Sequence, residues 1–96
     1  MNNLISVVVT CYNHEKYIEQ CLRSVFNQTY TNIELIVLDD GSTDSSTQII
    51  QEVLKDSPFE TKFETHENLG VVNNRNLGLE LIRGDYLLFV DSDNYL

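Results

Sequence analysis

The sequence predicts an α/β fold, a mostly parallel sheet with helices on both faces, built from about four strands and three helices. Three observations carry this expectation. Short β-branched apolar runs alternate with stretches whose apolar residues recur three and four apart. Three of the apolar runs end in polar clusters, two of them acidic, and none in a hairpin turn. The 96 residues, 42% hydrophobic and 22% charged, suffice for one core and one domain spanning 1–96.

The first run, Leu4 to Thr10, is almost wholly apolar, as in a strand covered on both faces, and is expected at the centre of the sheet. After the polar stretch Cys11 to His14, Tyr17, Ile18, Cys21, Leu22, Val25 and Phe26 form one helical face. Asn13, or less favourably His14, is the expected N-cap, since an Asn side chain accepts a backbone N–H. Polar residues 27–32 end that pattern, and Ile33 to Leu38 form a second buried strand.

Asp39-Asp-Gly-Ser-Thr-Asp44 follows. Asp40-Gly41 alone would suit a hairpin, but Ile49, Ile50, Val53 and Leu54 beyond it trace a helical stripe. This is therefore a strand–loop–helix junction, with Ser42 or Thr43 as expected cap. Pro58 closes the helical region, and Phe59 to Thr65 alternates like a half-exposed strand near an edge. Leu77, Leu81 and Ile82 mark a third helix ended by Gly84, and Tyr86 to Val90 a fourth strand that delivers Asp91-Ser-Asp93.

Right-handed crossovers point such strands the same way, so the clusters at 10–14, 39–44 and 91–94 are expected to meet on one rim. Ligands of open parallel sheets bind outside the carboxyl ends of the strands. With 15 acidic and 6 basic residues the net charge is −9, which speaks against nucleic acid or an anionic membrane as partner. A phosphorylated ligand would instead need a divalent cation, magnesium or manganese, between its charge and the carboxylates. Asp93, directly after a strand, is the expected ligand of that ion.

No run reaches the ~20 apolar residues of a membrane helix, and no basic segment precedes Leu4 as in a signal peptide; a cytoplasmic location is expected. Cys11 and Cys21 lack metal or disulfide spacing and are expected as buried thiols. His14 and His66, also without ligand spacing, are expected as exposed loop residues.

Five segments together resemble the family 2 glycosyltransferases of the GT-A fold: Val7 to Asn13, Ser24 to Tyr30, Glu34 to Asp44, Asn68 to Gly70 with Arg75 to Gly78, and Gly84 to Asp93. The resemblance covers essentially the whole chain and makes it the Rossmann-like, donor-binding half of that fold. It implies a nucleoside-diphosphate sugar as ligand, a UDP-sugar favoured, with Tyr12 against the base and Asp40 hydrogen-bonded to it. It further implies Asp91 at the ribose, Asp93 on the divalent metal bridging the diphosphate, and Arg75 shaping the pocket, with Thr10 and Asp39 beside them.

Thr10-Cys11 stands where the family usually has Pro-Thr or Pro-Ala, Asn74 where Ala is common, and Asn94 where a further Asp is frequent. Family members continue beyond the acidic strand into an acceptor-binding half that supplies a catalytic base, which the resemblance puts beyond Leu96. The resemblance therefore implies a fragment that holds the donor without completing transfer, with an inverting reaction in polysaccharide or glycoconjugate assembly at the inner face of the membrane for the whole enzyme. Surface left uncovered would favour self-association. A non-catalytic module of the same fold is the alternative. A phosphohydrolase would want Gly-Thr after Asp93, on its first strand, and a nucleotidyltransferase a Gly-rich basic loop after the first strand; neither is present.

Overall fold

The computed structural model describes residues 3–28, 30–68 and 70–91, with the backbone alone at 71, 72, 74 and 75. The elements run β1 (Ile5–Cys11), α1 (Ile18–Phe26), β2 (Ile33–Asp39), α2 (Ser46–Leu54), β3 (Glu60–Thr65), α3 (Val71–Leu81) and β4 (Tyr86–Asp91). All pairings are parallel and the strand order is β3-β2-β1-β4. The two most apolar runs are thus the interior strands and the alternating run lies at an edge, as apolar coverage on both faces requires.

Strand alternation sorts the side chains onto two faces. Val7, Val9, Leu35, Val37 and Val90 pack with Ile18, Cys21, Leu22 and Val25 of α1 and Ile50 and Val53 of α2. On the other face Val8, Ile36 and Leu38 meet Leu77 and Leu81 of α3 and Phe89 of β4. The sheet is a layer between helices, and one residue of register slip would exchange the two cores.

The helix termini differ from the sequence expectation. Helix α1 begins at Ile18 with Tyr17 at its N-cap, and α2 begins at Ser46 after Ser45; neither cap residue makes a side-chain capping bond. Asn13, Ser42 and Thr43 are all engaged elsewhere, as described below, and Asp44 Oδ1 accepts the N–H of Ser46 from two residues away. Ile82 is extended and lies outside α3, although it still packs against the second core.

Gly84 is not a left-handed helix terminator. A Cβ there would lie 2.5 Å from Ser6 Oγ and 2.8 Å from the Leu4 carbonyl, so glycine serves the close approach of this turn to β1. Its N–H donates to Ser6 Oγ at 2.8 Å. On β4, Tyr86, Leu87 and Leu88 are exposed. No helix among the described residues is long and apolar enough to cross a membrane.

Candidate functional site

The register places the ends of β1, β2 and β4 level. Cys11 pairs with Asp39 and Thr10 with Asp91, so the sequence clusters that follow these strands share one rim. Neighbouring parallel strands are about 4.8 Å apart, which puts β2 and β4 roughly 10 Å from each other across β1. Thr10, Asp40 and Asp91 follow Val8, Leu38 and Phe89 by two residues, and so share the sheet face covered by α3.

On that face Thr10 Oγ1 donates to Asp91 Oδ1 at 2.8 Å, tying β1 to β4. Asp40 N–H donates to the Cys11 carbonyl at 2.8 Å, extending the β1–β2 ladder by one bond. The Asp40 carboxylate accepts Gly70 N–H, at the N-cap of α3, through Oδ2 at 3.0 Å. A helix N-terminus carries partial positive charge, so an anionic oxygen belongs there. Tyr12 stands just beyond β1, 45% exposed, with its ring available to a planar partner.

Asp39 points the other way, toward the face of α1 and α2, and is fully buried. Its Oδ2 accepts Ser42 N–H at 2.9 Å and Thr65 Oγ1 at 3.1 Å, and its Oδ1 accepts Ser42 Oγ. The adjacent aspartates thus differ: Asp39 holds the turn after β2, while Asp40 lies on the face covered by α3. The Asp39 carboxylate, expected beside the nucleotide sugar, is enclosed by this turn with no exposed surface.

His66 departs from expectation. Its side chain is only 18% exposed, with Nε2 3.2 Å from Asp40 Oδ1. The direction of approach is poor for an N–H donor, and neither buried ring nitrogen has a hydrogen-bond partner among the described residues. The loop after β3 is brought there by His66 N–H, which donates to the Asp39 carbonyl at 3.3 Å. It also packs on Gly41, whose φ is +76° and where a Cβ would sit 2.7 Å from Asn68 N. His14 is half-buried, its ring edge-on to Tyr17 with centroids 6.2 Å apart. Loop position in the sequence could not reveal either contact.

Asp44 is held below its ordinary value: burial, which would raise it, is outweighed by hydrogen bonds from Ser46 and from the N–H of Glu15. Arg75 is on α3 with its side chain outside the described residues, and Asp93 lies outside them altogether. Leu96, beyond which the resemblance puts the catalytic base, also lies outside the described residues. Among the described residues no group of three or more His, Cys, Asp or Glu is gathered to hold a metal ion.

The sequence model described as "Glycosyl transferase family 2" matches residues 6–96. This chain belongs to that family. It is 45% identical over 93 residues to an uncharacterized glycosyltransferase of Haemophilus influenzae, covering 97% of this chain and 37% of that protein. To the chondroitin synthase of Escherichia coli it is 39% identical over 97% of its own length and 13% of the synthase. The crystal structure of S. aureus TarS 1-349 in complex with UDP-GlcNAc superposes with a TM-score of 0.86 at 38% identity, over 96% of this chain and 27% of that one. The fold is therefore that of the GT-A glycosyltransferases, and this family 2 chain spans well under half the length of these relatives.

Proposed function

We propose that this family 2 chain is the donor-binding domain of a glycosyltransferase that moves a sugar from a nucleoside-diphosphate sugar to an acceptor hydroxyl. The observation that carries the reading is the grouping of Tyr12, Asp40 and Asp91 at the level ends of three adjacent strands. Tyr12 offers a flat apolar face to a base, and Asp40 is an acceptor for a base N–H. Asp91, oriented by Thr10, is placed for a ribose hydroxyl. A UDP-sugar is favoured, since the imide N–H of uracil complements Asp40, and the UDP-GlcNAc complex of the related TarS supports this choice.

Arg75 completes the pocket in this proposal and Asp93 is assigned to a divalent cation, magnesium or manganese. Its carboxylate, with Asp91 two residues before it, matches the oxygen donors such ions take. When bound, that ion offsets the charge of the departing diphosphate. The chain's own described residues stack, read and orient the nucleoside. The acceptor, and the base that takes its proton with inversion, are assigned to parts of a longer enzyme beyond Leu96, so the isolated chain would bind donor without transfer. The relatedness to chondroitin synthase supports a role in polysaccharide or glycoconjugate assembly, on the cytoplasmic side where nucleotide sugars are supplied.

Titration calorimetry of this chain with UDP, GDP and other nucleotides, with and without manganese, tests the proposal. Metal-dependent binding of UDP, weakened about tenfold or more in Asp40→Asn as expected for a lost charge-assisted hydrogen bond, is the expected result. No binding of any nucleotide would reassign the chain to a non-catalytic module of the same fold.

A further inference from the structure

The loops that follow β1 and β2 satisfy each other's backbones. Asn13 N–H donates to Ser42 Oγ at 2.9 Å, His14 N–H to Ser46 Oγ at 3.1 Å and Glu15 N–H to Asp44 Oδ2 at 3.1 Å. In return Asn13 Oδ1 accepts Thr43 N–H at 2.8 Å. These partners are 29 to 32 residues apart in the chain. Three successive N–H groups that would otherwise be left exposed ahead of α1 are thus capped by the neighbouring loop and the first residue of α2 instead of by their own loop.

Asn13 is the pivot of this arrangement. Its φ of +53° is the left-handed region, which an Asn tolerates better than most side chains and which turns the chain sharply after Tyr12. That turn aims the Asn13 amide oxygen across at Thr43. Ser42 relays the connection inward, since its hydroxyl accepts from Asn13 and donates to the buried Asp39 carboxylate. The path therefore runs from the residue after Tyr12 to the residue before Asp40.

We propose that Asn13 is a positioning residue for base recognition: its side chain locks the loop bearing Tyr12 onto the turn bearing Asp40, fixing their spacing before a ligand arrives. The proposal rests on the donor-binding reading given above. Ordering two independent loops at the moment of binding would subtract from affinity, and a preformed clasp removes that cost. Asn13 itself need not touch the nucleotide.

Substitution at this one position separates backbone from side chain. Asn13→Gly keeps the left-handed turn and deletes the strap; Asn13→Asp keeps the turn and restores an acceptor for Thr43 N–H. Amide hydrogen exchange in the ligand-free chain should speed up in Asn13→Gly at Thr43 as well as at 13–15, and return toward the native rate in Asn13→Asp. UDP affinity, measured with manganese, should fall about tenfold in Asn13→Gly, the scale of lost preorganisation, and recover in Asn13→Asp, while the thermal midpoints of all three chains stay close.

Unchanged exchange at Thr43 in Asn13→Gly overturns the clasp, whether or not nucleotide binds. Faster exchange in both loops with undiminished UDP affinity overturns the positioning role. A native chain that binds no nucleotide at all defeats the donor-binding reading and the positioning role with it, and the exchange rates then still decide whether Asn13 couples the loops.

Discussion

Strand β2 buries two carboxylates, and they are treated in opposite ways. Glu34, at its beginning, is 1% exposed on the face of α3, beneath the end of that helix. Oε1 lies 2.9 Å from Arg83 Nε and 3.6 Å from Lys62 Nζ, while Oε2 accepts Arg83 N–H at 2.8 Å and Ser6 Oγ at 2.7 Å. Arg83 also pairs with Glu60. Asp39, at the other end and on the other face, is held by the amide and hydroxyl of Ser42 and the hydroxyl of Thr65, all neutral.

The difference separates an end of the sheet fastened by charged partners from one held by neutral donors alone. Burial raises the cost of ionising Glu34, yet hydrogen bonds from Arg83 and Ser6 and the charge of Lys62 outweigh it and bring its pKa down from 4.5 to about 2. Cations there fasten the turn at Arg83-Gly84 onto β1 and β2, setting where β4 begins and hence where Asp91 ends. Around Asp39 neutral donors alone hold the turn after β2.

Breaking that contrast is a matter of removing one partner at a time. Arg83→Ala should cost most, on the order of 2–4 kcal/mol in denaturant unfolding, because a buried carboxylate loses its main cation and keeps Lys62, Ser6 and the backbone N–H of residue 83. A loss no larger than that of an ordinary surface change would mean the Glu34 cluster is not a stability element.

Acid unfolding sharpens the same comparison. Glu34 has its folded pKa lowered, so the unfolded chain binds more protons between about 4.5 and about 2, and stability falls as pH drops through that window. Arg83→Ala and the native chain should therefore differ fully above pH 4.5 and converge near pH 2. Parallel curves across that range would show that another group dominates.

Asp39→Asn should cost less, about 1–2 kcal/mol, since the amide keeps one acceptor but turns the other toward Ser42 or Thr65 as a donor. Equal losses for Asp39→Asn and Arg83→Ala would erase the distinction between the two ends. Arg83→Lys should be the mildest, about 1 kcal/mol or less, because a point charge remains near Glu34 without the planar fork. Thermal midpoints measured in one buffer place the three in order.

Much of this molecule was legible before any coordinates. Apolar runs of β-branched residues marked β1 and β2 as interior, alternation from Phe59 marked β3 as an edge, and the acidic clusters were assigned to one rim. Glu34 also left a trace, a lone charge inside an apolar strand, which burial rules say must be paired; its partner Arg83, 49 residues later, left none. Asn13 suggested a helix cap because capping preference is local, whereas its real partner is in another loop. His66 read as an exposed loop residue and is enclosed beside Asp40.

The sequence alone determined the element order, the parallel α/β architecture, the family and which strand ends carry the acidic residues. These follow from periodicity and short-range preference, which act over a few residues. Tertiary structure decided that Asp39 holds a turn while Asp40 meets the start of α3, that Asn13 pairs with Thr43, and that Arg83 neutralises Glu34. Each of these is a pairing between segments some 30 to 50 residues apart, or the face a strand register assigns, and such partners exist only once the strands have aligned.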